Sequence, residues 1–502
     1  MKHLKRMISL VLTIALLCAM PAILRIQGEA SNTVVYPSIT IGGGWHPLYF
    51  DEGTPEEHPA LDAVGFGEAL KMDEILAALQ ALDFNLLVDK MRDGMWEMFG
   101  PIRMLENGES EADNITAYGI TYTDDNVFGD DIWCYLDWRL DPVDNAEHLR
   151  DFIEYCKTKR GADEKFCLKG MSGSGAVLLA YLDKYGYDDL DGVIFETSLH
   201  NGSSFYSELA KHKVTIDPKA VGMTYFLGGL KMDVSVAQPY LRILYESGLL
   251  DVLIKLLSQV SGSILDRIYD EILIPLIFMM PVFWSYVTVE DYEEAKAALL
   301  KGDPKYDDLV AKIDRYHYGI MPRTDDIILD VADHLKVGVT AGYGMAMIPL
   351  GKGMAVQSDT MLDTVYASLG ATCAPLNTPF WPWYKQQKDD GHNHISPDRL
   401  IDASTCLLPE QTWFFFNSPH GPHEGYSGWY EWFKRTENPT VFDSEDYPQF
   451  MEEIEPNVFV PLVAEPRSLF VDLLKTAGLY LLKIWRWLLL SSLEWLLNLN
   501  LS

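Results

Sequence analysis

The sequence predicts an α/β protein built around a mostly parallel sheet, and three observations carry that expectation. Short apolar runs of strand character recur at Val34–Ile41, Lys165–Leu168, Gly192–Phe195, Lys336–Gly344 and Thr412–Phe416. The intervals between them are long and often helical in period rather than two-residue hairpin turns, as parallel neighbours require. Between the second run and the helix-like Ala176–Leu182 lies Gly170-Met171-Ser172-Gly173-Ser174-Gly175. A serine between small residues on a sharp strand-to-helix turn stands clear of the sheet.

Residues 1–30 read as a secretory signal peptide. Met1-Lys2-His3-Leu4-Lys5-Arg6 is basic, Met7–Leu24 is almost wholly apolar, and Gly28-Glu29-Ala30 offers small residues for cleavage. A secreted or extracellular-surface location follows. The first part of the core is expected at 31–203. Its opening strand ends in Gly42-Gly43-Gly44-Trp45-His46, where glycines let backbone amides face outward. Helical periodicity appears around Leu70–Met91, and Ala117–Tyr122 reads as a strand. Asp131–Pro142 leads into a helix with Ala146, Leu149, Ile153 and Cys156 on one face, which feeds the strand before Ser172.

Residues 204–334 change character. Tyr240–Leu257, Ile264–Met279 and Glu290–Leu300 read as helices, several of them apolar almost all round, and such helices must cover something or be covered. The block is expected to be a helical cap inserted into the sheet domain. The second part of the core, 335–467, holds Asp359 after one strand and His420 after what reads as the last one, Thr412–Phe416. Ser172, Asp359, His420 is the chain order of an α/β-hydrolase triad. His423 competes with His420, and Asp363, Asp398 and Asp402 compete with Asp359. Residues 468–502 read as a C-terminal amphipathic helix. Charges interrupt every apolar run before a membrane span is reached, and Trp485, Trp487 and Trp495 suit a lipid interface.

The 502-residue chain is 48% hydrophobic, enough for a sizeable core, and its net charge of −33 argues against nucleic acid. Of six cysteines, five lie beyond the signal peptide, an odd number too dispersed for a disulfide scaffold; one bridge, Cys373–Cys406, is the best pairing. No C-x-x-C or H-E-x-x-H string occurs, so neither a metal nor another cofactor is expected.

Four stretches resemble the lecithin:cholesterol acyltransferase-like lipases of the α/β-hydrolase superfamily. Ile41–Leu48 stands where that family has its oxyanion loop, with Trp45 and His46 departing from its pattern and expected to face substrate. Asp137-Trp138-Arg139-Leu140 with Asn145-Ala146, Gly170–Gly175, and Leu199-His200-Asn201-Gly202-Ser203 match further motifs, and Ser358-Asp359-Thr360 is similar to the family's S-D-G. The resemblance implies a lipase, phospholipase or acyltransferase. Ser172 would be the nucleophile, His420 the base, Asp359 its orienting acid, and the amides of Gly43 and Gly173 the oxyanion donors. The competing expectations are an inactive surface-binding module on the same fold, or a serine peptidase or polyester depolymerase.

Overall fold

The computed structural model describes residues 35–42, 46, 48–52, 54–60, 71, 74–75, 77–78, 81, 83–116, 121–215, 217–221, 262–376, 378–421 and 426–464. The expected signal peptide, the Tyr240–Leu257 helix and the 468–502 helix lie outside these residues.

The centre is an eight-stranded sheet. Its strands are β1 (Ser38–Ile41), β2 (Asp131–Cys134), β3 (Phe166–Met171), β4 (Leu190–Glu196), β5 (Lys336–Tyr343), β6 (Thr412–Phe416), β7 (Phe450–Glu455) and β8 (Val458–Pro461). The order across the sheet is β8-β7-β6-β5-β4-β3-β1-β2. Every pairing is parallel except β7 with β8. Thr412–Phe416 is therefore not the last strand. The β7–β8 hairpin was missed because Phe450-Met451-Glu452-Glu453-Ile454-Glu455 is too acidic to read as an apolar run.

Both faces of the sheet are covered, as a parallel sheet requires. In β3 and β4, Phe166, Leu168, Val193 and Phe195 face one core, while Cys167 and Ile194 face another, following the two-residue period of a strand. Helices α1 (Pro142–Arg160) and α2 (Ser174–Tyr185) pack on the first side. Asp141 caps α1 by accepting the Val143 amide, and Pro142 occupies the first turn, where no amide is needed. On the other side, Trp413 and Phe415 pack against Trp429 and Phe433 of α3 (Ser427–Arg435).

The block expected at 204–334 divides in two. Tyr316, Ile320, Ile328 and Val331 join the sheet core, so this part is a crossover leading into β5. Tyr269–Leu300 instead builds a second apolar core with Met98, Phe99 and Ile102. That core also takes Leu48, Trp138, Leu199 and Leu362, each from a segment following a sheet strand. Ile264–Met279 is not one regular helix. It is α-helical to Ile268, then widens into a π-helix over Tyr269–Phe278 that contains Pro275, a residue with no amide to donate. Thr121 and Tyr122 lie in a turn, so the strand expected at Ala117–Tyr122 does not extend through them.

Cys373 and Cys406 are free thiols, which corrects the expected bridge. Cys373 pairs across a short ladder with Ile401, not Cys406. Counting cysteines had offered a partner where the strand register does not.

Candidate active site

The strand order reverses between β1 and β3: the chain runs outward from β1 to β2, then returns and builds β3 to β8 on the other side. In open α/β sheets the crevice at the carboxyl ends beside such a switch is where ligands bind. Ser172 follows β3 there. Its φ is +51°, a left-handed conformation uncommon outside glycine, and strain of this kind marks functional turns.

Small residues permit the turn, each for its own reason. A β-carbon on Gly175 would stand 1.5 Å from Ser198 Oγ, so the close approach to the neighbouring segment requires glycine there. Ser174, in the place of the motif's last glycine, is buried and turns its hydroxyl back onto Met171. It accepts the Met171 amide at 2.9 Å and donates to the Met171 carbonyl at 2.7 Å.

His420 Nε2 lies 2.9 Å from Ser172 Oγ, and His420 Nδ1 lies 2.8 Å from Asp359 Oδ2. The His420 amide also donates to the Asp359 carbonyl at 2.7 Å. Asp359 is 1% exposed, and its Oδ1 accepts the amides of Met361 and Leu362. Although Asp359 is far along the chain from β5, the excursion between folds back. Met345 bridges Ser358, and Asp359 packs on Gly342, where a β-carbon would come within 2.6 Å of the Asp359 Cβ. Burial favours the neutral imidazole. The Asp359 charge and hydrogen bond, with a further push from Glu196, outweigh it and raise the His420 pKa above its ordinary 6.5.

The competing carboxylates are engaged elsewhere. Asp363 accepts the Ser204 amide, Asp398 accepts the Ser396 hydroxyl and the Leu400 amide, and Asp402 accepts the Tyr384 hydroxyl and the Gln387 amide. His423 lies outside the described residues.

Gly173 caps the N-terminus of α2, whose first amides have no carbonyl within the helix and therefore suit a developing anion. Gly43 and Trp45 lie outside the described residues. His46 is tied inward: its Nε2 is 2.6 Å from the Leu136 carbonyl, and its own carbonyl accepts the Trp138 indole N–H. The Asp137-Trp138-Arg139 motif is structural. Arg139 is 1% exposed, forks onto both Asp137 oxygens, and reaches the Ile102 carbonyl and Ser110 Oγ.

Three residues near the triad were not singled out from sequence. Glu196, 1% exposed at the end of β4, pairs in register with Met171 and accepts the Tyr430 hydroxyl, with Lys169 Nζ at 3.7 Å. A glutamate closing an otherwise apolar strand was the available signal. Tyr206 packs near Asp359, whose charge adds to burial in pushing its phenol up to about 12. Tyr286 presses on Gly173, and nothing in the local sequence announced it. Among the described residues no group of three or more His, Cys, Asp or Glu side chains could hold a metal ion.

Comparison with protein-family models, curated proteins and solved structures returns no match.

Proposed function

We propose that this chain is a serine hydrolase of the α/β-hydrolase kind, acting on lipid or other carboxylic esters through an acyl-enzyme. The observation that carries the reading is the unbroken hydrogen-bonded line Ser172–His420–Asp359 at the carboxyl end of a parallel sheet. In this mechanism Asp359 fixes the imidazole with its proton on Nδ1, leaving Nε2 to take the serine proton as Oγ attacks the ester carbonyl. The same Nε2 then returns the proton to the leaving alcohol, and water repeats the cycle. An alcohol acceptor in place of water would make the reaction an acyl transfer.

The apolar character of the surroundings supports an ester with a hydrocarbon acyl chain. Tyr206, Phe283 and Tyr286 form an aromatic cluster beside the elbow, with ring centroids 5.0–6.5 Å apart. In this reading the second apolar core is the cap, the motifs of residues 41–48, 137–146, 170–175 and 199–203 are those of a lecithin:cholesterol acyltransferase-like lipase, and the 468–502 segment brings the site to a lipid surface.

The test is labelling with a fluorophosphonate probe. The expected result is one adduct on Ser172, lost in Ser172→Ala with the fold intact. A folded wild-type chain that takes no probe and hydrolyses no ester from short to long acyl length overturns the reading in favour of a binding module.

A further inference from the structure

We propose that the Tyr286 hydroxyl is a side-chain oxyanion donor that works beside the Gly173 amide; this rests on the reading of Ser172 as the nucleophile.

Geometry argues for it first. The 3-10 segment Pro281–Tyr286 crosses the carboxyl ends of the strands. At one end the Val282 amide donates to the Arg139 carbonyl after β2, and at the other the Ser203 amide donates to the Tyr286 carbonyl after β4. Between these anchors the phenol reaches β3's turn. A β-carbon on Gly173 would stand 2.1 Å from the Tyr286 hydroxyl oxygen, so glycine after the nucleophile leaves room for that oxygen. The residue that supplies the backbone donor is therefore the residue the phenol touches.

The segment is also held rigidly. Trp284 Nε1 donates to the Phe278 carbonyl, His317 Nε2 meets the Trp284 carbonyl at 2.6 Å, and Ser285 Oγ donates to the Val282 carbonyl. The ring packs against Tyr206 and Phe283. A donor fixed before the reaction needs no reorganisation during it, which is where electrostatic catalysis gains most.

The hydroxyl has work left to do. Tyr286 is 6% exposed, and among the described residues its hydroxyl makes no hydrogen bond. An oxygen that becomes negative during the reaction is an acceptor of the right kind. Burial pushes the phenol's pKa well above its ordinary value of 10, so the proton to be donated stays in place at any working pH.

Ser172 Oγ bonds to the carbonyl carbon while its proton passes to His420 Nε2. The carbonyl π pair moves onto its oxygen, which accepts from Gly173 N–H and Tyr286 O–H. On collapse the pair returns to re-form the carbonyl, and the leaving alkoxide takes the proton from His420.

Tyr286→Phe removes one oxygen and keeps the ring. With p-nitrophenyl butyrate, kcat is expected to fall about a hundredfold, the loss typical of one oxyanion donor. KM should move less than threefold, and the inhibition constant of an alkyl trifluoromethyl ketone should weaken by a factor comparable to the loss in kcat/KM. Gly173→Ala, which pushes the phenol aside without deleting it, should also lower kcat. The proposal is overturned if folded Tyr286→Phe keeps kcat within threefold, if the loss falls on KM alone, or if Gly173→Ala keeps full turnover. A wild-type chain that neither turns over nor takes the fluorophosphonate probe removes the hydrolase reading, and this proposal with it. Turnover and labelling in wild type with Tyr286→Phe unchanged remove the proposal alone.

Discussion

Ser174 closes a two-way hydrogen bond on the backbone of Met171, accepting from its amide and donating to its carbonyl. A serine in the place of glycine is thus a latch across the elbow, joining the last residue of β3 to the first of α2. Ser174→Gly should lower stability by about 1–2 kcal/mol, the net value of a pair of hydrogen bonds plus the flexibility of glycine. Chemical denaturation reads this as a lower midpoint with an unchanged slope. An unchanged midpoint would mean the latch contributes nothing.

Thr360, next to Asp359, has a φ of +90°. A β-branched residue in that region is strained, at a typical cost of about 1–3 kcal/mol. Two backbone bonds hold it there: its amide donates to Ser358 Oγ, and its carbonyl accepts the Ile348 amide. Thr360→Gly should raise the melting temperature by a few degrees, partly offset by the greater freedom of glycine in the unfolded chain. A lower melting temperature would show that the side chain stabilises more than its backbone costs.

On the proposed mechanism, the His420 shift sets the acid limb of activity. The base must be neutral, and its pKa is raised by Asp359 and Glu196 against the opposing effect of burial. Ester hydrolysis should therefore rise with pH through an apparent pKa above 6.5. Glu196→Gln removes one negative neighbour and leaves Lys169 unneutralised, and both changes favour the neutral ring. The limb should move to lower pH in that variant, measured as kcat/KM against pH. A limb that stays put would take Glu196 out of the electrostatics of the site.

Asp141 gives stability its own pH dependence. Its carboxyl is 1% exposed, and burial, only partly opposed by Arg315, pushes its pKa from 3.8 to about 7. The folded state therefore holds the proton more tightly than the unfolded chain. The stability this contributes is complete below pH 4 and is lost as pH rises through about 7. Asp141→Asn keeps a good helix cap and no longer titrates, and Arg315 retains Asp144 at 2.8 Å. Relative to wild type, the variant should gain on the order of a few kcal/mol between pH 4 and pH 8. A difference that does not vary with pH would contradict the assignment.

What the sequence disclosed and what it hid follow a physical division. Ser172 and His420 were legible because each closely follows an apolar strand, and strand ends are marked by local composition; Asp359, far along the chain from β5, was legible through the likeness of Ser358-Asp359-Thr360 to S-D-G. The choice of Asp359 over Asp363, Asp398 and Asp402 was not, because it depends on which carboxylate the chain folds back against His420 while the others meet partners elsewhere. Tyr286 was hidden inside a run that is almost wholly apolar, where period says nothing about which ring reaches Gly173. The β7–β8 hairpin escaped because β7 carries three glutamates, and its place in the sheet comes from ladders on both sides, with β6 and with the short edge strand β8, not from an apolar run. The Cys373–Cys406 pairing failed because parity of cysteine count carries no geometry.

Arg139 has a consequence for how the molecule opens. Its guanidinium grips Asp137 after β2 and, from the same buried position, the Ile102 carbonyl and Ser110 hydroxyl. Peeling the 100–111 stretch away would leave the Arg139–Asp137 pair intact but take from the buried Nη1 both of its acceptors, and a hydrogen bond to a charged group is typically worth about 1.5–3 kcal/mol. Local fraying of that stretch is thereby coupled to loss of the sheet. In native-state hydrogen exchange its slow amides should report the global unfolding free energy rather than a private, cheaper opening.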